Sequence, residues 1–172
     1  MKPNIRFLDG METAEIGEFA GEPLLVKVNR SSATVKGGRR FSFSALSITG
    51  NKSGIVGYGY AKARQVPNAI EKAARDGRKH LMRVPITSAG TIPHEVEGFY
   101  CSAKVRMLPA SPGTGIIACP SVRAVCEQAG IKDILTKSYG STNPINLVKA
   151  TLHALSQLRT PEQVAQLRGI SL

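Results

Sequence analysis

The sequence predicts an α+β protein: a three-stranded antiparallel sheet backed by one helix, followed by a second, small α/β domain. Three observations carry that reading. Apolar residues alternate in short runs between residues 24 and 61, and the runs are joined by glycine-containing turns. A helical stripe follows from Pro67 to about Met82. A stretch punctuated by Pro85, Gly90 and Pro93 then separates a second set of strand and helix signals.

Taken in order, residues 1–20 are acidic and lack sustained periodicity, so a mobile tail is expected there. The first domain spans 21–84. In it Leu24, Val26 and Val28 alternate with Leu25, Lys27 and Asn29, as in a half-buried strand. Lys36-Gly37-Gly38-Arg39-Arg40 turns the chain into a second strand, Phe41 to Thr49, with Phe41, Phe43, Ala45 and Ser47 on one face. Asn51-Lys52-Ser53-Gly54 is the next turn, and Ile55 to Ala61 the third strand. Gly57, Gly59 and Ala61 share one face of that strand, and so small a face lets another backbone approach closely. Pro67 suits the first turn of the helix that follows. Ile70, Ala73, Ala74, Gly77 and Leu81 form its apolar stripe, with Lys72, Arg75, Lys79 and Arg83 opposite.

Residues 85–93 read as a linker and 94–172 as the second domain. Strand patterns cover 94–103 and 104–108, and a loop covers 109–115. A short helix over 122–129 is closed by Gly130, and a strand over 131–139 is closed by Gly140. Asn143-Pro144 and Thr160-Pro161 have the cap-then-proline order that starts helices, the first running to about Arg159 and the second to about Arg168.

Composition narrows the function. Hydrophobic residues make up 42%, enough for a core, but aromatics are only 5% and tryptophan is absent, so Val, Ile, Leu and Ala must build it. No run approaches the roughly 20 apolar residues of a membrane-spanning helix, and Met1 to Phe7 lacks the apolar segment of a secretion signal. A cytoplasmic protein with no membrane role is expected. Cys101, Cys119 and Cys126 are odd in number and lack metal-ligand spacing, so buried reduced thiols are expected, with neither a disulfide framework nor a metal.

The net charge is +11, and it is concentrated. Residues 26–85 hold thirteen Lys and Arg against only Glu71 and Asp76, so this stretch alone carries +11. Ordinary surfaces mix the signs; this imbalance calls for a polyanion. The candidate RNA-binding set is Arg30, Lys36, Gly37, Gly38, Arg39, Arg40, Lys52, Lys62, Arg64, Lys72, Arg75 and Lys79. Three strands backed by a basic helix fit a double-stranded-RNA-binding layout, which reads duplex shape and phosphates. Phe41 and Phe43 could stack bases but read better as core. Gly113, Thr114 and Gly115 form a candidate phosphate nest, with a plain tight turn as the competing reading. His80, His94 and His153 stand far apart with no paired carboxylate, so neither catalysis nor a cofactor is expected.

Several of these motifs, in order, resemble one family. Val28-Asn29-Arg30, Thr34 to Phe43, Val56 to Ala63, Pro109 to Ala118 and Tyr139 to Asn146 are similar to the bacterial-type ribosomal protein five of the small subunit, over about residues 21–169. The resemblance implies a double-stranded-RNA-binding-like first domain and an α/β second domain with a βαβ crossover. It implies binding to small-subunit ribosomal RNA, contact with the fourth and eighth small-subunit proteins, and a place near the path by which messenger RNA enters. It also ties the chain to decoding accuracy, and places Arg30 through Arg40 in the loop linked to spectinomycin sensitivity. Three departures stand out: Ala33 where many relatives have lysine, Ile55 where they often have a base, and Cys119-Pro120-Ser121 in place of a glycine-rich step. A free double-stranded-RNA-binding regulator is the alternative, and a phosphate-handling enzyme built on Gly113 to Ile117 a weaker one.

Overall fold

The alternation that begins at Leu24 becomes the edge of a four-stranded antiparallel sheet. A computed structural model describes Ile5, Phe7, Leu8 and residues 21–170. Strands β1 (Leu24–Val35), β2 (Gly38–Gly50), β3 (Ile55–Ala63) and β4 (Leu81–Arg83) lie in that order. Leu24, Val26 and Val28 are half-buried while Leu25, Lys27 and Asn29 are exposed, as the alternation predicts.

The fourth strand corrects the expected three, and it shortens the helix. Helix α1 (Val66–Gly77) stops five residues before Met82. Arg78 to His80 form a turn in which Lys79 N–H donates to Asp76 O and His80 N–H to Gly77 O. Leu81 and Met82 then pair with Gly57 and Val56 and are buried there. Leu81 does fall on the helical stripe, but the open edge of β3 offers backbone partners that a longer helix would leave unmet.

Strand β2 is buried on both faces from Ser44 onward. Ala45 packs with Ala69 and Ala73 of α1. Leu46 and Ile48 face the other way, into a core shared with the second sheet. The small face of β3 works as the glycines suggested. A β-carbon at Gly59 would sit 2.5 Å from Gly77 N and overlap the Ala73 carbonyl, so α1 seats directly on the strand backbone.

The second sheet has the order β5-β6-β8-β7, from β5 (Val96–Tyr100), β6 (Ala103–Pro109), β7 (Ile116–Ile117) and β8 (Ile134–Gly140). Strand β7 runs parallel to β8, and α2 (Pro120–Ala129) connects them, which makes the expected βαβ unit. Helix α3 (Pro144–Leu155) covers β5 and β6, and Gly98 of β5 lets it approach. Helix α4 (Pro161–Arg168) opens on a capping box between Thr160 and Gln163.

One apolar cluster joins Leu46, Ile48, Val56 and Met82 to Val105, Met107, Val122 and Leu152, so the two sheets share a core. The connecting residues 85–93 belong to it: Ile92 is buried, and Gly90 O accepts Lys132 N–H at 2.8 Å. The β2–β3 turn docks on the end of α2, with Lys52 N–H on Gln128 O (3.0 Å) and Gly54 N–H on Ala129 O (2.8 Å). The Lys149 ammonium bridges the sheets, 5.4 Å from the Tyr58 ring centre and 4.9 Å from that of Tyr100. The tail expected over residues 1–20 lies outside the described residues except at three positions. There Leu8 N–H donates to Leu81 O at 2.8 Å, and the Phe7 ring stands edge-on to His80.

Candidate nucleic-acid interface

The β1–β2 hairpin outruns its sheet. From Asn29 to Phe41 every residue is exposed, so the pair projects as a ribbon with solvent on both faces. A two-residue turn, Lys36-Gly37, closes it, and Gly37 takes φ 93°, a conformation that glycine adopts without strain. Cross-strand register sorts the side chains. Arg30, Ser32 and Thr34 lie opposite Phe43, Phe41 and Arg39 on one face. Ser31, Ala33 and Val35 lie opposite Ser42, Arg40 and Gly38 on the other. Arg39 and Arg40 therefore serve opposite faces, with Lys36 at the tip.

Helix α1 buries Ala69, Ala73 and Gly77 and turns Lys72 and Arg75 outward; Arg78 and Lys79 are exposed in the turn after it. The two acids of the basic stretch are both engaged. Glu71 meets Arg75 at 3.1 Å in an exposed pair, which is worth little and is easily exchanged for a phosphate. Asp76 accepts the Tyr60 N–H at 3.1 Å and lies 3.8 Å from His80. Among the described residues, Arg30, Lys36, Arg39, Arg40, Lys62, Arg64, Lys72, Arg78 and Lys79 have no carboxylate within ion-pair distance. Fixed cations without counter-charges raise the local potential and favour a polyanion.

The fold groups Lys62 and Arg64 with the ribbon cations, while Lys52 and Lys79 lie toward the other end of the sheet. Lys62 pairs with Ser44, which pairs with Asn29, so it stands at the root of the ribbon, and Arg64 follows directly. Lys52 is exposed but lies at the far end of the sheet, in the turn whose backbone docks on α2. The Gly113–Gly115 loop is exposed as far as Thr114. Thr114 N–H donates to Ser111 O at 3.2 Å, and Gly115 N–H to the buried Asp133 carboxylate at 2.7 Å. Two of the three N–H groups of the candidate phosphate nest are thus engaged within the chain, as in the tight-turn reading. Alternation groups Phe41 with the core-facing Phe43 and Ala45, but the structure does not bury it. It is 45% exposed, and the Arg30 guanidinium carbon lies 4.6 Å from its ring centre, whereas Phe43 packs toward α1 as expected.

Comparison with known proteins agrees with this architecture. Residues 24–85 match the family described as ribosomal protein S5, N-terminal domain, and residues 98–168 match ribosomal protein S5, C-terminal domain. The chain belongs to the ribosomal protein S5 family. Its relatives include the small ribosomal subunit protein uS5 of Rhodopirellula baltica, 56% identical over 147 residues, which is 86% of this chain and 82% of the relative. The uS5 of Blochmanniella floridana is 50% identical over 161 residues, covering 94% and 90%. That of Baumannia cicadellinicola is 51% identical over 145 residues, covering 84% and 87%. The S5 family is structural rather than enzymatic.

Three positions singled out in the sequence have clear local settings. Ala33 lies opposite Arg40 on the ribbon, so that face keeps a cation across the strand. Cys119 adopts an extended conformation before Pro120 at the first helical position, so α2 starts two residues earlier than Val122. Ile55 pairs with Arg83 across β3 and β4.

Proposed function

We propose that this chain is a structural constituent of the small ribosomal subunit that grips ribosomal RNA with the β1–β2 ribbon and the outer face of α1. One observation carries the reading: a projecting ribbon with Arg30, Lys36, Arg39 and Arg40, and a helix with Lys72 followed by a turn with Lys79, all without carboxylate partners among the described residues. Phosphates neutralised by these side chains release condensed counterions, which supplies affinity without sequence preference. The sheet supplies register, since a rigid ribbon fixes where its cations stand. Contact with the fourth and eighth small-subunit proteins, a site near entering messenger RNA and a share in decoding accuracy extend this reading on the strength of the S5 resemblance. A free RNA-binding regulator would use residues 26–85 alone and leaves unexplained why the second domain shares a core with the first. Sedimentation of cell extract tests the proposal. The chain should travel in fixed proportion with the small subunit at low salt, and a pool that stays at the top of the gradient would refute it.

A further inference from the structure

Phe41 is the one large apolar side chain on the ribbon face that also carries Arg30 and Arg39 yet lies beyond the core. It sits diagonally across from Arg30 and opposite Ser32, where nothing bulky covers it. Helix α1 reaches Phe43 and Ala45, two and four residues further on. The ring is held in place by Arg30, 4.6 Å from its centre, and this places two flat π surfaces next to one another among cations. Flat aromatic and guanidinium surfaces in a basic setting are what unstacked bases pack on.

We infer that the Arg30–Phe41 pair is a stacking platform for an unpaired base of structured RNA, so that the ribbon recognises a bulged or looped nucleotide as well as duplex phosphates. This rests on the RNA-binding role proposed above. The bland alternative is that the pair merely stiffens the ribbon.

The chain has no tryptophan, so Phe41→Trp installs a single reporter at the platform. Its emission is expected to be quenched by saturating transcribed small-subunit ribosomal RNA and to change little with a blunt RNA duplex that has no unpaired base. Phe41→Leu keeps the apolar bulk without the π face. It should weaken ribosomal RNA binding roughly tenfold while leaving the slope of log affinity against log salt unchanged, because no phosphate contact is lost. Phe41→Tyr should restore affinity. An unquenched Phe41→Trp protein at saturation, equal quenching by the blunt duplex, or a Phe41→Leu protein that binds like wild type would overturn the inference. If the wild-type chain itself fails to bind ribosomal RNA, the proposed function falls and this inference with it; wild-type binding with an unquenched Phe41→Trp protein overturns the stacking platform alone.

Discussion

Replacing Gly59 by alanine should loosen α1 from its sheet. The new β-carbon would overlap the Ala73 carbonyl and lie 2.5 Å from Gly77 N and 2.9 Å from Ala73 C. All of these are backbone atoms of α1, so no side chain can swing aside. The helix must lift, which opens the contacts of Ala69 and Ala73 with Ala45 and Phe43. Overpacking of this kind costs about 1–3 kcal/mol, and a backbone-to-backbone clash belongs at the upper end. Alanine in place of glycine in a strand returns about 0.5–1 kcal/mol. The net loss is about 2 kcal/mol, and for a chain of this size each kcal/mol lowers the midpoint by about 2–4 °C. Thermal melts followed by circular dichroism should therefore show a midpoint about 4–8 °C below wild type. A melt within 1 °C or so of wild type would mean that α1 does not rest on the Gly57-Gly59-Ala61 face, and the packing argument would fail.

Other expectations follow from particular contacts. Asp133→Ala leaves the Gly115 N–H without its 2.7 Å acceptor; it should cost about 2 kcal/mol in urea unfolding and speed amide exchange at Gly115. The Lys104 ammonium donates to the Glu97 carboxylate at 2.6 Å and holds its pKa below the ordinary glutamate value. Because that folded value is depressed, the pair's contribution is present above the ordinary glutamate pKa and is lost as pH falls through the lowered one. Lys104→Met should raise the Glu97 midpoint in an NMR titration, and an unmoved midpoint would deny the pairing. Burial pushes the Cys126 thiol up to about 12, while Cys101 is exposed. Alkylation of the native protein at pH 8 should thus label Cys101 and spare Cys126, and labelling of both at similar rates would contradict the burial.

Features with a local cause were legible in the sequence. The period-two pattern at Leu24, Val26 and Val28 gave β1, proline in the first turn marked α1, α3 and α4, and the small face of β3 announced a close partner. What escaped depends on distant partners. Leu81 sits on the α1 stripe but answers to the open edge of β3. Residues 85–93 have linker composition, yet Ile92 joins a core assembled from both sheets. Gly115 finds its acceptor eighteen residues later, at Asp133, with no nearby signal. Within the interface the cations were readable from charge alone. The placement of Phe41 was not, because alternation assigns it to the face of Phe43 and Ala45 but cannot say where the covering helix stops.

RNA binding measured against salt, with paired substitutions in each domain, bears most directly on the proposed role. Affinity for small-subunit ribosomal RNA should fall steeply between about 50 and 200 mM salt. Arg39→Ala with Arg40→Ala should weaken it more than Arg123→Ala with Lys132→Ala, and should flatten the salt slope by about one to two units as contacts to phosphates are lost. A flat salt dependence in the wild type, or equal losses from the two double variants, would contradict an interface built on the ribbon and α1.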